Sequence, residues 1–270
     1  MYLCWPDIEM TVTETLITIN SKHLDREVTC TLLLPDEFTG IEPLNLLLLN
    51  DGQEAENLQL KDTLQELYNN NRLKPTAVAA IACGEERIQE YGTAGFPDFK
   101  KRGTKAAAYT KFIIAELLPE IKEQLGMEVF GTVGFAGFSL GGLSALDIAW
   151  NNPDVFDVAG VFSGSLWWRS KDLGKGYTDD DRIMHRIVRE SKTKPELKFW
   201  FQTGTKDETA DRNRNGIIDA IDDTIDLIKE LQAKGYTRDD IAYLEMVGGE
   251  HNVATWARAM PKFLVKAFGK

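Results

Sequence analysis

Short runs at 44–49, 76–83, 131–138 and 158–162 are built almost wholly of apolar and small residues. A strand with one wet face alternates in polarity, so strands apolar on both sides have to be covered on both sides. Between and beside these runs lie stretches of helical spacing at 58–68, 104–125 and 140–150. Strand-compatible runs return at 197–203 and 241–247, with helical stretches at 180–191, 219–234 and 252–268. Strands that alternate with helices in this way predict an α/β fold, a mostly parallel central sheet with helices on both faces. Earlier runs at 11–20 and 28–34, the second closed by Pro35, predict an antiparallel N-terminal edge. No repeat, low-complexity tract or linker interrupts the pattern. The chain therefore reads as a single domain, 1–270, with a modest insertion at about 168–195 over the ends of the strands.

Gly137-Phe138-Ser139-Leu140-Gly141 lies where the run 131–138 gives way to the helical stretch 140–150. Gly-x-Ser-x-Gly at a strand-to-helix turn carries chemistry only in that context. The turn forces the serine into a strained conformation, so its neighbours two positions away have to be small. Backbone N–H groups at the start of the following helix can hold a developing oxyanion. Without an acid and a histidine the same five residues are a glycine-rich bend.

The chain has three histidines, so the search for a base is short. His23 falls in an early turn and His185 within a polar helical stretch. His251 follows the last predicted strand in Gly248-Gly249-Glu250-His251-Asn252. Loops at the carboxyl ends of strands are where open α/β sheets place their chemistry. Ser139 before His251 also fits the chain order Ser, Asp or Glu, His. The acid belongs between them, after the strand 197–203. Asp207 is the first carboxylate past its end, Glu208 is the neighbouring alternative, and Asp211 is less suited. A base draws the proton from a weakly nucleophilic hydroxyl, and the carboxylate fixes the imidazole tautomer. The expected oxyanion donors are the N–H groups of Leu140 and, from the Asp51-Gly52-Gln53 turn, Gln53.

Asp211, Asn213, Asn215, Gly216, Ile217, Asp219 and Asp222 occupy positions 1, 3, 5, 6, 7, 9 and 12 of a loop that opens a helix. That is the spacing of an EF-hand-type calcium loop. Side-chain oxygens come from Asp211, Asn213, Asn215, Asp219 and Asp222, a carbonyl from Ile217, and the turn glycine is Gly216. Asp222 stands where a bidentate Glu is usual, and no helix precedes the loop. Structural Ca2+ is the expected cofactor, with no organic cofactor. The competing reading is a polar loop whose aspartates cap the helix at 219–234.

The formal net charge is −11, which argues against nucleic acid and anionic membrane as partners. Cys4, Cys30 and Cys83 are scattered and form no disulfide or metal pattern. Residues 1–10 lack a basic segment and a long apolar segment, so no signal peptide is read and a cytoplasmic location is expected.

The chain resembles the esterase family that includes esterase D, enterobactin-type siderophore esterases, feruloyl esterase domains and mycolyltransferases. The resemblance is carried by Leu47-Leu48-Leu49-Asn50-Asp51-Gly52-Gln53, Arg87 with Glu90-Tyr91, the serine block with Gly142, Phe162-Ser163-Gly164-Ser165-Leu166-Trp167-Trp168, Gly204-Thr205-Lys206-Asp207, and Gly249-Glu250-His251 with Trp256. It implies the α/β-hydrolase fold, Ser139 as nucleophile, Asp207 as acid, His251 as base, and Leu140 and Gln53 as oxyanion donors. Asn50 departs from the more usual aliphatic residue at its position. Trp167, Trp168, Tyr91 and Phe96 form either an aromatic substrate wall or packing beneath the insertion. Arg87 either orients a substrate anion or pairs with Glu90, and Arg169 is a second local cation. The expected activity is that of a serine carboxylesterase forming an acyl-enzyme, on a siderophore- or feruloyl-type small-molecule ester. An acyltransferase and a non-catalytic binding protein of the same fold are the alternatives.

Overall fold

The computed structural model describes residues 11–36 and 43–270. Cys4 and the rest of 1–10 lie outside the described residues. Eight strands form one sheet in the order β1-β2-β4-β3-β5-β6-β7-β8. β1 (Val12–Ser21) and β2 (Arg26–Pro35) pair antiparallel, and β2 pairs antiparallel with β4 (Thr76–Ile81). From there β3 (Asn45–Asn50), β5 (Val133–Phe138), β6 (Val158–Phe162), β7 (Lys198–Lys206) and β8 (Ile241–Glu250) add in parallel. This is the mostly parallel sheet with an antiparallel N-terminal edge that the apolar runs imply, and it fits the α/β-hydrolase fold that the resemblance implies.

The central strands are buried on both faces because helices cover both. One face packs under α1 (Leu60–Asn69) and α8 (Val253–Phe268), through Leu47, Leu49, Val78, Phe138, Met260 and Phe263. The other carries α3 (Ala106–Phe112), a π-turn at Ile113–Leu117, α4 (Leu118–Leu125), α5 (Leu140–Asn151), α6 (Ile183–Glu190) and α7 (Asp219–Ala233). A short helix, α2 (Arg87–Glu90), follows β4. The long helical stretch 104–125 is thus interrupted by a wider turn.

β8 runs three residues past its expected end, through Gly248 and Gly249 to Glu250. The reason lies in β7, where the register slips between Gly204 and Lys206 so that Lys206 pairs with Glu250. A Cβ on Gly204 would sit 2.3 Å from the Gly249 carbonyl oxygen, so glycine is what lets the two strand ends approach. Among the described residues no helix is long and apolar enough to cross a membrane.

Candidate active site

The carboxyl ends of β5, β6, β7 and β8 meet at one side of the sheet. Between β5 and α5 the chain turns at Ser139, whose φ of 53° and ψ of −120° are unfavourable for a residue with a β-carbon. A Cβ on Gly137 would lie 2.5 Å from the backbone of Gly141, and one on Gly141 would lie 2.7 Å from Asp51 Oδ2. Both glycines of the motif are therefore required by contact. Leu140 is the first residue of α5, so its N–H has no acceptor within the helix.

A cleft of about 290 Å³ is lined by Ser139, Ser163, Gly164, Ser165, Trp167, Asp207, Glu208, Ala220 and His251. The three residues expected to carry the chemistry thus border one space. Ser139 Oγ lies 3.3 Å from Ser165 Oγ rather than bonding His251. Catalytic hydrogen bonds are often long before substrate arrives. His251 stacks edge-on against Trp256, 5.3 Å between centroids.

Asp207 is 8% exposed. Its Oδ2 accepts from the Gly204 N–H at 2.9 Å, and its buried Oδ1 has no hydrogen-bond partner. Burial pushes this carboxyl above its ordinary value, against the Gly204 N–H, the nearby Ser163 hydroxyl and the charge of His251. Burial pushes His251 below the ordinary imidazole value; Asp207 opposes this and Arg87 adds to it. Glu208 is also raised by burial, but its neighbours are Asp219, the Ala220 N–H and Asp223. It faces α7, while Asp207 faces His251. Of the other histidines, His23 is exposed in its turn. His185 is fully buried, with Nε2 2.8 Å from the Asp223 carbonyl and its pKa pushed by burial to about 3. It is a neutral core residue.

Other expected residues separate here. Gln53 sits in the turn after β3, exposed, with its side-chain oxygen accepting the Cys83 N–H at 3.1 Å. The Asp51–Gln53 turn reaches the serine turn through Asn50, but Gln53 lines a separate groove of about 500 Å³. Trp167 borders the cleft that holds Ser139 and His251. Tyr91 and Trp168 are both 0% exposed, so their rings cannot touch a bound molecule. Tyr91 packs edge-on against Tyr109 at 5.1 Å, and Trp168 donates to the Phe96 carbonyl at 3.3 Å. Phe96 is exposed. Arg87 does not pair with Glu90. It grips Asp51 through both carboxylate oxygens, at 2.6 and 2.7 Å, and Glu90 is held by Arg26 at 2.6 and 2.7 Å. The helical turn puts Glu90 toward β2 and leaves Arg87 facing β3.

Three roles were not visible from residue type. Asn50, the departure from the family pattern, is wholly buried; it donates to the Gly141 carbonyl at 2.8 Å and accepts from the Tyr109 hydroxyl at 2.6 Å. Ser165 donates its N–H to the Ser139 carbonyl at 3.0 Å as well as meeting its hydroxyl. Ser163, at φ 44°, accepts the Trp256 indole N–H at 3.0 Å and so holds the ring on which His251 rests. For the two serines, the Ser-Gly-Ser pattern after the neighbouring strand β6 was the available signal.

In the acidic loop, Asp222 Oδ2 accepts from the amides of both Asn213 and Asn215 at 2.7 Å. Asp211 accepts from the N–H groups of Asn215 and Gly216, at 3.1 and 2.9 Å, and Asn215 Oδ1 accepts from the Ile217 N–H at 2.8 Å. These side chains converge across the loop. Asp219 instead turns back to the loop, accepting the Arg212 N–H at 2.9 Å; α7 has no side-chain hydrogen bond at its N-cap, Ile218, and only the acidic residues of its first turn, Asp219 and Asp222, fit the capping reading. Counted by His, Cys, Asp and Glu alone, no group of three disposed to hold a metal occurs among the described residues. The loop's donor set relies on two asparagines and a carbonyl.

Comparison with known proteins agrees with this architecture. The chain is 22% identical over 238 residues to "Uncharacterized protein YjcH" of Bacillus subtilis (strain 168), covering 87% of this chain and 89% of that one. It superposes on the enterobactin esterase FES from Shigella flexneri with a TM-score of 0.73 and 19% identity, over 94% of this chain and 58% of that one. It thus spans little more than half of that protein's length. A ferulic acid esterase matches with a TM-score of 0.68 and 17% identity, covering 96% and 98% of the two chains. The siderophore hydrolase EstB from Aspergillus nidulans matches at 0.65 and 17%, covering 97% and 96%. Residues 21–267 match the family described as "Putative esterase", and the chain belongs to that family of carboxylic ester hydrolases with the α/β-hydrolase fold.

Proposed function

We propose that the protein is a serine carboxylesterase. His251 takes the Ser139 proton as Oγ attacks the ester carbonyl, and Asp207 holds the imidazole and offsets its positive charge. The alkoxide of the tetrahedral intermediate is held by the Leu140 N–H; the expected second donor is the backbone N–H of Gln53, whose side chain turns away to the Cys83 N–H. Collapse expels the alcohol, which takes the proton from His251 and leaves an acyl-serine. Water, deprotonated by the same imidazole, then releases the acid. The observation that carries this reading is the single cleft bordered by Ser139, Asp207 and His251, with a free oxygen on Asp207. Trp167 on its wall, and the likeness to enterobactin and ferulic acid esterases, favour an ester with a flat aromatic acyl group.

The test pairs p-nitrophenyl acetate turnover with fluorophosphonate labelling. Wild type should turn over and label, and Ser139→Ala should do neither. Labelling that persists in the variant, or none in wild type, defeats the proposal.

We also propose that the loop 211–222 binds Ca2+ as a structural ion. Asp211, Asn213, Asn215, the Ile217 carbonyl and Asp222 would supply its oxygens, with Asp219 acting through water. Support comes from the convergence of Asp222 with the side chains of both Asn213 and Asn215 across the loop. The ion would brace the segment directly behind Asp207.

A further inference from the structure

We propose that Arg169 forms an anion subsite beside the catalytic cleft, so that the preferred substrates are aromatic esters bearing a negative charge. This rests on the esterase reading of Ser139 and extends it to substrate class.

Several arginines around this end of the molecule are paired with carboxylates: Arg87 with Asp51, Arg102 with Asp98, and Arg182 and Arg212 with Asp223. Arg169 has no such partner; Arg214 and Arg258 lack one too, but they are exposed, whereas Arg169 is half-buried. Among the described residues no carboxylate oxygen lies within 4.0 Å of it. Its Nε is buried without a partner, and its one hydrogen bond is a long one, 3.4 Å from Nη1 to the Trp167 carbonyl. A guanidinium has five N–H donors, so most of its capacity is unused.

The group is also held in place. Its carbon lies 5.0 Å from the Phe99 ring centroid, 5.8 Å from Tyr177 and 6.0 Å from Trp167. Its carbonyl accepts the Phe99 N–H at 3.0 Å, and its backbone bridges Arg182. Aromatic faces stabilise the cation while leaving its in-plane donors free. Trp167 is shared: it borders the cleft that contains Ser139, and its ring faces Arg169 as well as Arg102, which Asp98 neutralises. An aromatic acyl or alcohol group lying against Trp167 would carry a carboxylate or phenolate toward those donors.

The experiment compares matched ester pairs that differ by one carboxylate: 4-nitrophenyl benzoate with its 4-carboxy analogue, and phenyl acetate with 4-carboxyphenyl acetate. The ratio of kcat/KM for anionic over neutral ester is measured in wild type, Arg169→Lys and Arg169→Met. A charge-assisted hydrogen bond predicts that the ratio for at least one pair falls about tenfold to hundredfold in Arg169→Met, mainly through KM, and recovers in part in Arg169→Lys. Using a ratio removes any general loss from disturbed packing. If neutral and anionic esters change together in both pairs, or the ratio is unmoved, the subsite is rejected. If neutral ester is not turned over and Ser139 does not label in wild type, the esterase reading fails instead.

Discussion

Asp207 and Glu208 are adjacent acids at the end of one strand, and the chain's geometry separates their roles. The slip in register at Gly204 turns Asp207 inward, where its carboxylate closes on the Gly204 N–H and keeps one oxygen free. Glu208 points to α7. Asp207→Asn should therefore lower kcat on the order of 10⁴, by favouring the wrong imidazole tautomer. Glu208→Gln should have a far smaller effect, and equal losses in the two variants would reassign the acid. The pH profile gives a second check. The base has to be neutral to work, and burial together with Arg87 holds His251 below the ordinary 6.5. The acid limb of kcat/KM should thus fall below that value. Arg87→Gln removes a nearby cation and leaves Asp51 uncompensated, and both changes favour the protonated ring. The limb should move to higher pH, and a stationary or downward limb contradicts the assignment. The placing of Ser139 and His251 at the ends of strands was legible because the signals are local: a strand, a turn, a residue. Asp51 as the partner of Arg87 was not, since one lies in the turn after β3 and the other opens α2, and only the fold joins them.

The nucleophile helix α5 is buried along nearly its whole length. Within it Asp147, 1% exposed, accepts the Ala94 N–H at 2.8 Å and an Asn151 amide N–H at 3.2 Å, and so ties the helix to the loop after α2. Ser144 acts beside it, accepting the Gly92 N–H at 2.7 Å. Burial raises the Asp147 carboxyl from 3.8 to about 7. The sign follows directly: the folded state holds this proton more tightly than the unfolded chain does. The contribution is complete below about pH 4 and is lost as pH rises toward and through 7. Asp147→Asn cannot ionise, so its melting temperature should decline less than that of wild type between pH 5 and pH 8. Parallel declines in a thermal scan would show that the group does not titrate in that window. The elements themselves were largely readable, because strands buried on both faces and amphipathic helices have different periods. The lengthening of β8 was not. Gly248-Gly249 reads as a stop, and only the approach of Gly204 makes it a continuation. Likewise the loop aromatics Tyr91 and Trp168 carry no mark in the sequence of whether they face solvent or core.

Across the molecule, the acidic loop is connected to both the site and the segment between β6 and β7. Arg212, second in the loop, pairs with Asp223 of α7, and Asp223 also accepts from Arg182 at 2.6 Å at the start of α6. Tyr177 lies 5.8 Å from the Arg212 guanidinium and equally far from Arg169. Ordering residues 211–222 would thus stiffen the chain behind Asp207 and the aromatic frame beside Trp167 together. An ion bound only by the folded chain stabilises it by about 2.7 kcal/mol at a hundredfold excess over Kd. For a chain of this size that corresponds to roughly 5–10 °C in melting temperature. Removing Ca2+ with a chelator should therefore lower Tm by several degrees and reduce kcat in the same titration, and adding Ca2+ should restore both. Mg2+ should restore less, since it resists exchanging its water shell for a cage of many protein oxygens. Asp222→Ala removes the carboxylate on which both asparagines converge, so its Tm should be low and indifferent to Ca2+. Chelation that leaves wild-type Tm and turnover unchanged would leave the acidic first turn of α7, Asp219 and Asp222 at the positive end of its dipole, as the reason for this loop's acids.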